Sequence, residues 1–114
     1  MPKPWRLTRQ ASTSIIEIAR WAYETFGARQ ASAYEEDLIA RCVEIASGTA
    51  ISQDCRRLID PDIAEDLRFA RAGQHFVVFI ETPDQIIIID FLHSRCDLPR
   101  RLASLTDRLT KPEK

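Results

Sequence analysis

Two apolar runs near the middle of the chain constrain the fold most. Residues 76–80 and 86–89 are continuous apolar segments without polar alternation, and residues 82–85, Thr-Pro-Asp-Gln, form a turn signal between them. The turn predicts that the two runs are adjacent antiparallel strands. Strands that do not alternate bury both faces, so this sheet needs a covering layer on each side.

Two helical segments ahead of these strands predict one covering layer. Apolar residues recur at helical spacing from residue 15 to residue 26, where Gly27 follows, and again from residue 31 to residue 45, where Gly48 follows. The connection between the two segments is very short, so we expect an antiparallel helical hairpin.

The remaining segments complete a small sheet and add a third helix. Residues 5–8 alternate and predict a first strand, residues 49–61 have no clear period and predict a loop, and residues 66–71 predict a strand before the turn at Gly73. Further signals predict a last helix with Asp97 as N-cap, Pro99 in its first turn, and an apolar stripe of Leu98, Leu102, Leu105 and Leu109.

The predicted order of elements is β-α-α-β-β-β(-α). This is an α+β fold in which a helical hairpin packs on a small, mainly antiparallel sheet. We expect a single domain over residues 1–114, with a core at about residues 5–109 and a frayed tail at residues 110–114.

The second face of the sheet has two candidate covers. The C-terminal helix can fold back over it, or a partner chain can lie across it, and the two do not exclude each other. Exposing several Ile and Phe side chains would otherwise cost about 1.5–3 kcal/mol each.

Charge excludes some classes of function and favours others. The net charge is −1, so there is no general attraction to nucleic acid or to anionic membranes. Residues 11–46 hold six acidic and three basic side chains, whereas residues 91–114 hold six basic and three acidic ones. A basic end beside an acidic hairpin suits an acidic partner, although solvated charge is the commoner case.

Composition predicts a cytoplasmic protein without a cofactor or metal. Cys42, Cys55 and Cys96 are an odd and widely spaced set, which favours reduced thiols over disulfides or a zinc site. No apolar run is long enough to span a membrane, and the N-terminus has no signal-peptide pattern.

One segment carries a family resemblance. Residues 67–102 read LRFARAGQHFVVFIETPDQIIIIDFLHSRCDLPRRL, with an arginine at the start of a strand, a glycine turn, and Leu-His-Ser-Arg-Cys-Asp before a helix. This order resembles the C-terminal half of the ParE branch of the ParE/RelE toxin superfamily, and the strand and helical hairpin before it fit as well. Two features depart from the family pattern. Its Pro-x-x-Gly-Arg element is missing from residues 50–57, and Phe79 replaces the usual tyrosine.

The resemblance implies a RelE/ParE-like fold and the toxin of a type II toxin–antitoxin system. It implies that a cognate ParD-like antitoxin neutralises the chain in a hetero-oligomer, and that the target is DNA gyrase, inhibited by binding without catalysis. Two alternatives stay open: a RelE-like ribosome-dependent mRNA endonuclease, and a family member that only assembles with its antitoxin. We expect no direct nucleic-acid specificity.

The candidate site residues follow from these alternatives. A nuclease would use His93 or His75 as acid or base, with Arg68, Arg71 and Arg95 stabilising charge. A binding protein would meet its antitoxin or target through Arg68, Arg71, His93, Arg95, Arg100, Arg101 and Trp21.

Two of these residues have structural alternatives. His93 could instead bond the backbone of the next turn, as a histidine at a strand end often does. Trp21 lies one position off the apolar stripe of the first helix, so it either flanks the core or forms an exposed anchor.

Overall fold

The computed structural model describes residues 3–50, 52–54, 67–96 and 98–110. Within these ranges a short strand is followed by two long helices, further strands and a final helix. The elements are β1 (Trp5–Leu7), α1 (Arg9–Phe26), α2 (Ala28–Ser47), β2 (Gln53–Asp54), β3 (Leu67–Ala72), β4 (His75–Glu81), β5 (Ile86–His93) and α3 (Leu98–Thr110).

The two long helices form the predicted hairpin, and their ends are fixed by local signals. The Thr8 hydroxyl accepts a hydrogen bond from the Ala11 amide at 3.1 Å, which satisfies one free amide in the first turn of α1. Gly48 follows α2 in the left-handed region, at φ 78°, where a residue with a Cβ would be strained. Gly27 separates α1 from α2, and the two helices pack along each other.

The strands form one sheet with the order β1-β5-β4-β3-β2. β1 runs parallel to β5, and the other neighbouring strands are antiparallel. The sheet is therefore mainly antiparallel, as predicted. Thr8 holds the end of β1 against β5, because its amide donates to the Ile88 carbonyl at 3.0 Å and its hydroxyl to the Ile89 carbonyl at 2.8 Å.

A β-bulge interrupts the pairing of β4 with β5. Val78 pairs with Asp90 and Phe79 pairs with Ile88, so one residue of β5 has no partner on β4. A bulge changes which side chains beyond it face each side of a sheet. Ile88 and Phe91 pack in the same core cluster although they are three positions apart, an arrangement that strict alternation would forbid.

Both faces of the sheet are buried, as the continuous apolar runs predicted. The hairpin face, which packs on α1 and α2, contributes Val77 and Ile88 to a core with Leu38 of α2. On the opposite side, which we call the second face, Leu67 packs with Leu102 of α3, and both are 0% exposed. The C-terminal helix therefore folds back over the second face, which is one of the two covers expected.

One predicted element needs correction, and some predictions lie outside the described residues. The predicted loop at residues 49–61 contains β2, a two-residue strand that pairs with β3. A strand this short has no alternation, so periodicity cannot detect it. The predicted cap Asp97, residues 55–66 and the tail beyond Thr110 are not among the described residues.

Candidate functional site

Four ring side chains meet at the end of the sheet where β4 begins and β5 ends. Trp21, Tyr34, His75 and His93 form this aromatic cluster. The His75 and His93 ring centroids are 4.9 Å apart, and Trp21 lies 5.4 and 5.6 Å from them. Tyr34 is 5.5 Å from His75 and 6.1 Å from Trp21. Edge-to-face rings at these distances stabilise a structure by roughly 0.5–1.5 kcal/mol for each pair.

The cluster depends on strand register as well as on the hairpin. His75 and His93 are partners in the β4–β5 ladder, so their side chains lie on the same face of the sheet. Trp21 of α1 and Tyr34 of α2 pack against the core on that face and reach both histidines. Trp21 is half-buried there, so it flanks the core. The cluster joins both helices of the hairpin to the end of the sheet.

His75 is buried and neutral at neutral pH. It is 3% exposed, and its Nδ1 lies 2.5 Å from the Tyr34 hydroxyl. Burial, together with the nearby His93, lowers the pKa of His75 to about 4. The Tyr34 hydroxyl also accepts a hydrogen bond from the Gln74 amide at 3.0 Å, and burial raises the pKa of Tyr34. The two side chains thus form an uncharged, hydrogen-bonded pair.

His93 shapes the turn that follows β5. Its Nδ1 accepts a hydrogen bond from the Arg95 amide at 3.0 Å, which is the structural alternative left open for this residue. The bond leaves Nε2 as the ring nitrogen that can carry a proton or meet a partner.

Arg68 and Arg71 do not share a surface. They are three positions apart on β3, so their side chains lie on opposite faces of the sheet. Arg71 is on the second face, where its guanidinium lies 5.8 Å from the centre of the Phe76 ring and its Nε donates to the Gly73 carbonyl at 2.9 Å. Arg68 is on the hairpin face, where its Nε donates to Ser52 Oγ at 3.2 Å.

The other three candidate arginines follow the end of β5. Arg95 is exposed in the turn after the strand, and Arg100 and Arg101 are exposed in the first part of α3. Since α3 packs on the second face, Arg100 and Arg101 add positive charge beside that face, as Arg71 does.

The four residues of the nuclease alternative do not assemble into one pocket. Arg68 is opposite Phe79 on β4, whereas His93 is opposite His75. At about 3.3 Å per residue, these two pairings are about 13 Å apart along the strand. Arg71 is nearer to His93 but lies on the other face. Acid–base catalysis needs groups within hydrogen-bond reach of one substrate, and this set does not provide them.

Apolar side chains remain accessible on two sides of the protein. Ile16 and Tyr23 of α1 are 64% and 61% exposed, and Val43 of α2 is 47% exposed. Ile16 and Tyr23 are seven positions apart, so they lie on the same side of α1. On the second face, Phe69 and Ile87 are only half-buried beside α3. Exposed apolar side chains that share one side of a helix are candidates for contact with another protein.

The described ranges contain no group of three His, Cys, Asp or Glu residues that could hold a metal ion. They also contain no helix long and apolar enough to cross a membrane. Cys42 is buried, and burial raises the pKa of its thiol to about 12. A thiol with so high a pKa is a poor nucleophile.

Two features of this region were not predicted. The aromatic cluster is one. His75 precedes the turn at residues 82–85 by seven residues and His93 follows it by eight, so the turn alone already brings the two histidines near each other. The other is the buried carboxylate of Asp90, 2% exposed, which accepts hydrogen bonds from the Ser14 hydroxyl and from the Phe91 amide. No spacing rule connects a serine of α1 with an aspartate of β5.

Comparisons with known proteins identify the family. The family model described as the ParE toxin of type II toxin-antitoxin system, parDE, matches residues 5–98. A solved structure titled "Chromosomal ParDE TA system from P. aeruginosa" has a similar fold, with a TM-score of 0.64 and 13% sequence identity, over 80% of this chain and 95% of that chain. No curated protein matches this chain significantly. The chain therefore belongs to the ParE toxin family of type II toxin–antitoxin systems.

Proposed function

We propose that this chain is a toxin that inhibits DNA gyrase by binding it, and that a cognate ParD-like antitoxin neutralises it in a hetero-oligomer. It would act in the bacterial cytoplasm, where gyrase works. The observation that carries the proposal is the difference between the polar and the apolar side chains of the protein. The two histidines of residues 67–102 are engaged in hydrogen bonds within the protein, whereas several apolar side chains stay accessible on its surface.

The engaged polar groups favour binding over catalysis. His75 is paired with Tyr34, and the Nδ1 atom of His93 is used by the turn after β5. Arg68 and His93 are about 13 Å apart along the sheet. A toxin with these features would stall gyrase through protein contacts that stabilise the state with cleaved DNA. The net charge of −1 agrees with a protein target more than with a nucleic-acid one.

The accessible apolar side chains are the proposed antitoxin surfaces. One surface is the outside of the hairpin, at Ile16, Tyr23 and Val43. The other is the part of the second face that α3 leaves half-covered, at Phe69 and Ile87. Burying each such side chain contributes about 1.5–3 kcal/mol.

Charged side chains would add specificity to this contact. Arg71, Arg100 and Arg101 are exposed on or beside the second face, and Arg95 is exposed in the turn after β5. An acidic antitoxin segment that crosses this face could pair with the guanidinium groups of Arg71, Arg95 and Arg101, whose fork geometry suits carboxylates. Complementary charge of this kind raises association rates and selects partners more than it adds affinity.

A binding experiment with purified gyrase tests the proposal. We expect saturable binding of the wild-type chain, and binding weakened at least about tenfold by the double substitution Arg95→Glu and Arg101→Glu, because both charges belong to the segment that carries the family resemblance. Arg9→Glu is the matched control, since Arg9 is an exposed arginine at the start of α1. Its affinity should equal that of the wild type.

The same protein preparation separates the alternatives. Incubation with ribosome-bound mRNA should leave the mRNA intact. Cleavage of mRNA without gyrase binding would establish the endonuclease alternative. An absence of both activities would favour a family member that is a toxin in fold only.

A further inference from the structure

A small cleft opens on the hairpin face, between the C-terminal end of α2 and strands β3 and β4. Its volume is about 190 Å³, and Ile45, Ala50 and Phe79 form its apolar lining. Ser52 and Arg68 add polar groups to the wall. Sites for drug-sized ligands and cofactors measure roughly 300–1,000 Å³. This cleft therefore fits a single amino-acid side chain better than a nucleotide or cofactor.

Arg68 lies in this cleft, and its guanidinium keeps hydrogen-bond donors beyond the one that it uses there. It is half-buried opposite Phe79 in the β3–β4 ladder, and its Nε donates to Ser52 Oγ at 3.2 Å. That bond uses one of the five donors of the guanidinium and orients its plane. In the described part of the chain, no ion pair involves Arg68. The two terminal amino groups thus have no carboxylate there.

The acidic side chain among the described lining residues is already paired. Glu81 lines the cleft, and its Oε2 lies 2.7 Å from the Lys3 ammonium. Lys3 is anchored further, because it donates to the Thr82 carbonyl at 2.7 Å. Lys3 and Glu81 offset each other, so among the lining side chains that the structure describes Arg68 carries the unbalanced charge, which is positive.

We propose that this cleft binds one carboxylate of a peptide. The two terminal amino groups of Arg68 receive the carboxylate side by side, a geometry that the planar guanidinium fork matches and an ammonium does not. Ile45 and Phe79 pack against the methylene groups of the same side chain. A dianionic phosphate fits less well, since the described lining residues include one arginine, and Glu81 lies in the same cleft.

The source of the carboxylate is an acidic side chain of the antitoxin. This assignment of the source rests on the proposed function, whereas the carboxylate site does not. Arg68 and Arg71 lie on opposite faces of the sheet, so the cleft is separate from the basic surface beside α3. An acidic antitoxin would then meet positive charge on both faces of the sheet, at the cleft on the hairpin face and at the basic surface beside α3.

An NMR titration tests the site without any partner protein. It follows the Nε–Hε signal of Arg68. The probe is the methylamide of N-acetylglutamate, added at constant ionic strength, with the methylamide of N-acetylglutamine as the uncharged match. We expect a saturable shift with a millimolar Kd for the carboxylate and none for the amide. The Arg71 signal should not move. Arg68→Lys, which keeps the charge but loses the fork, should weaken binding by about fivefold or more.

Three results would overturn the site. One is an equal shift with the uncharged probe. The second is tighter binding of inorganic phosphate than of the carboxylate. The third concerns Asp54, which is the backbone partner of Arg68 in the β2–β3 ladder. If the carboxylate probe bound only to the Asp54→Asn variant, the chain itself would supply the carboxylate that Arg68 binds. Because neither gyrase nor antitoxin is used, the result is independent of the proposed function.

Discussion

The ring of Tyr34 lies directly against Gly73, so helix α2 rests on the turn between β3 and β4. A Cβ built on Gly73 would lie 2.8 Å from Cε1 of Tyr34, and Gly73 has a φ of +61°. The hydroxyl of the same tyrosine accepts a hydrogen bond from the Gln74 amide at 3.0 Å. The turn is thus shaped around the tyrosine, which also positions His75 at the start of β4.

Gly73→Ala should destabilise the protein by about 2–4 kcal/mol. Left-handed backbone costs a residue with a Cβ about 1–2 kcal/mol, and the contact with Tyr34 adds an overpacking cost of similar size. Gly48→Ala is the control, because Gly48 also has a positive φ but nothing lies within 4 Å of an added Cβ. Urea denaturation measures both variants. Equal losses for the two would contradict the role of Tyr34.

The buried His75 should make stability fall as the pH decreases below about 6.5. In the unfolded chain this histidine has its ordinary pKa of 6.5, whereas burial lowers the folded value to about 4. Between these values the unfolded state binds more protons, so acid favours unfolding. Full stabilisation is present above pH 6.5 and is lost towards pH 4. The loss attributable to this group is on the order of 2–3 kcal/mol.

The variant His75→Gln isolates this contribution from the titration of carboxylates. It lowers stability at pH 7, because the aromatic cluster is disturbed. The free-energy gap to the wild type should narrow by roughly 2 kcal/mol between pH 7 and pH 4.5, since only the wild type carries the buried imidazole. A gap that stays constant over this range is the outcome that contradicts a buried neutral histidine.

Charging the outside of the hairpin should raise the solubility of the free chain without changing its fold. Ile16 and Val43 are 64% and 47% exposed, so Ile16→Glu and Val43→Lys should change the free energy of unfolding by no more than about 0.5 kcal/mol. Sedimentation at increasing concentration should show several-fold less self-association than in the wild type. Thr25→Glu, an exposed position elsewhere on α1, should have a much smaller effect. Equal improvement by all three would mean that added charge alone is responsible.

Leu102→Ala should release α3 from the second face. Leu102 is 0% exposed against the sheet, and a buried Leu→Ala change costs about 2–5 kcal/mol. Amide hydrogen exchange in α3 should speed up more than exchange in β4. The half-buried Leu98 is the matched position, and Leu98→Ala should cost clearly less. Unchanged exchange in α3 would show that other contacts hold the helix.

Much of this fold could be predicted from local sequence signals. The apolar runs and the turn between them predicted the β4–β5 hairpin, and the run at residues 76–80 lies within the observed strand β4, His75–Glu81. Gly27 and Gly48 marked the helix ends because a positive φ favours glycine. β2 could not be predicted, since two residues carry no period and its existence depends on pairing with β3.

The candidate site was less predictable, because it depends on register and packing. The separation of Arg68 from Arg71 follows from strand alternation alone, so it was available in the sequence. The aromatic cluster needed Trp21 and Tyr34 to be placed by hairpin packing, which periodicity does not fix to one residue. The β4–β5 bulge, which turns Phe91 towards the hairpin, leaves no mark in the sequence.

The measurement that tests the account most directly is a DNA cleavage assay with purified chain, gyrase, plasmid and ATP, scored for DNA breaks that remain linked to protein. The account predicts that such breaks accumulate with increasing chain and disappear when the antitoxin is added. No protein-linked breaks at concentrations that saturate gyrase binding would contradict the proposed mechanism.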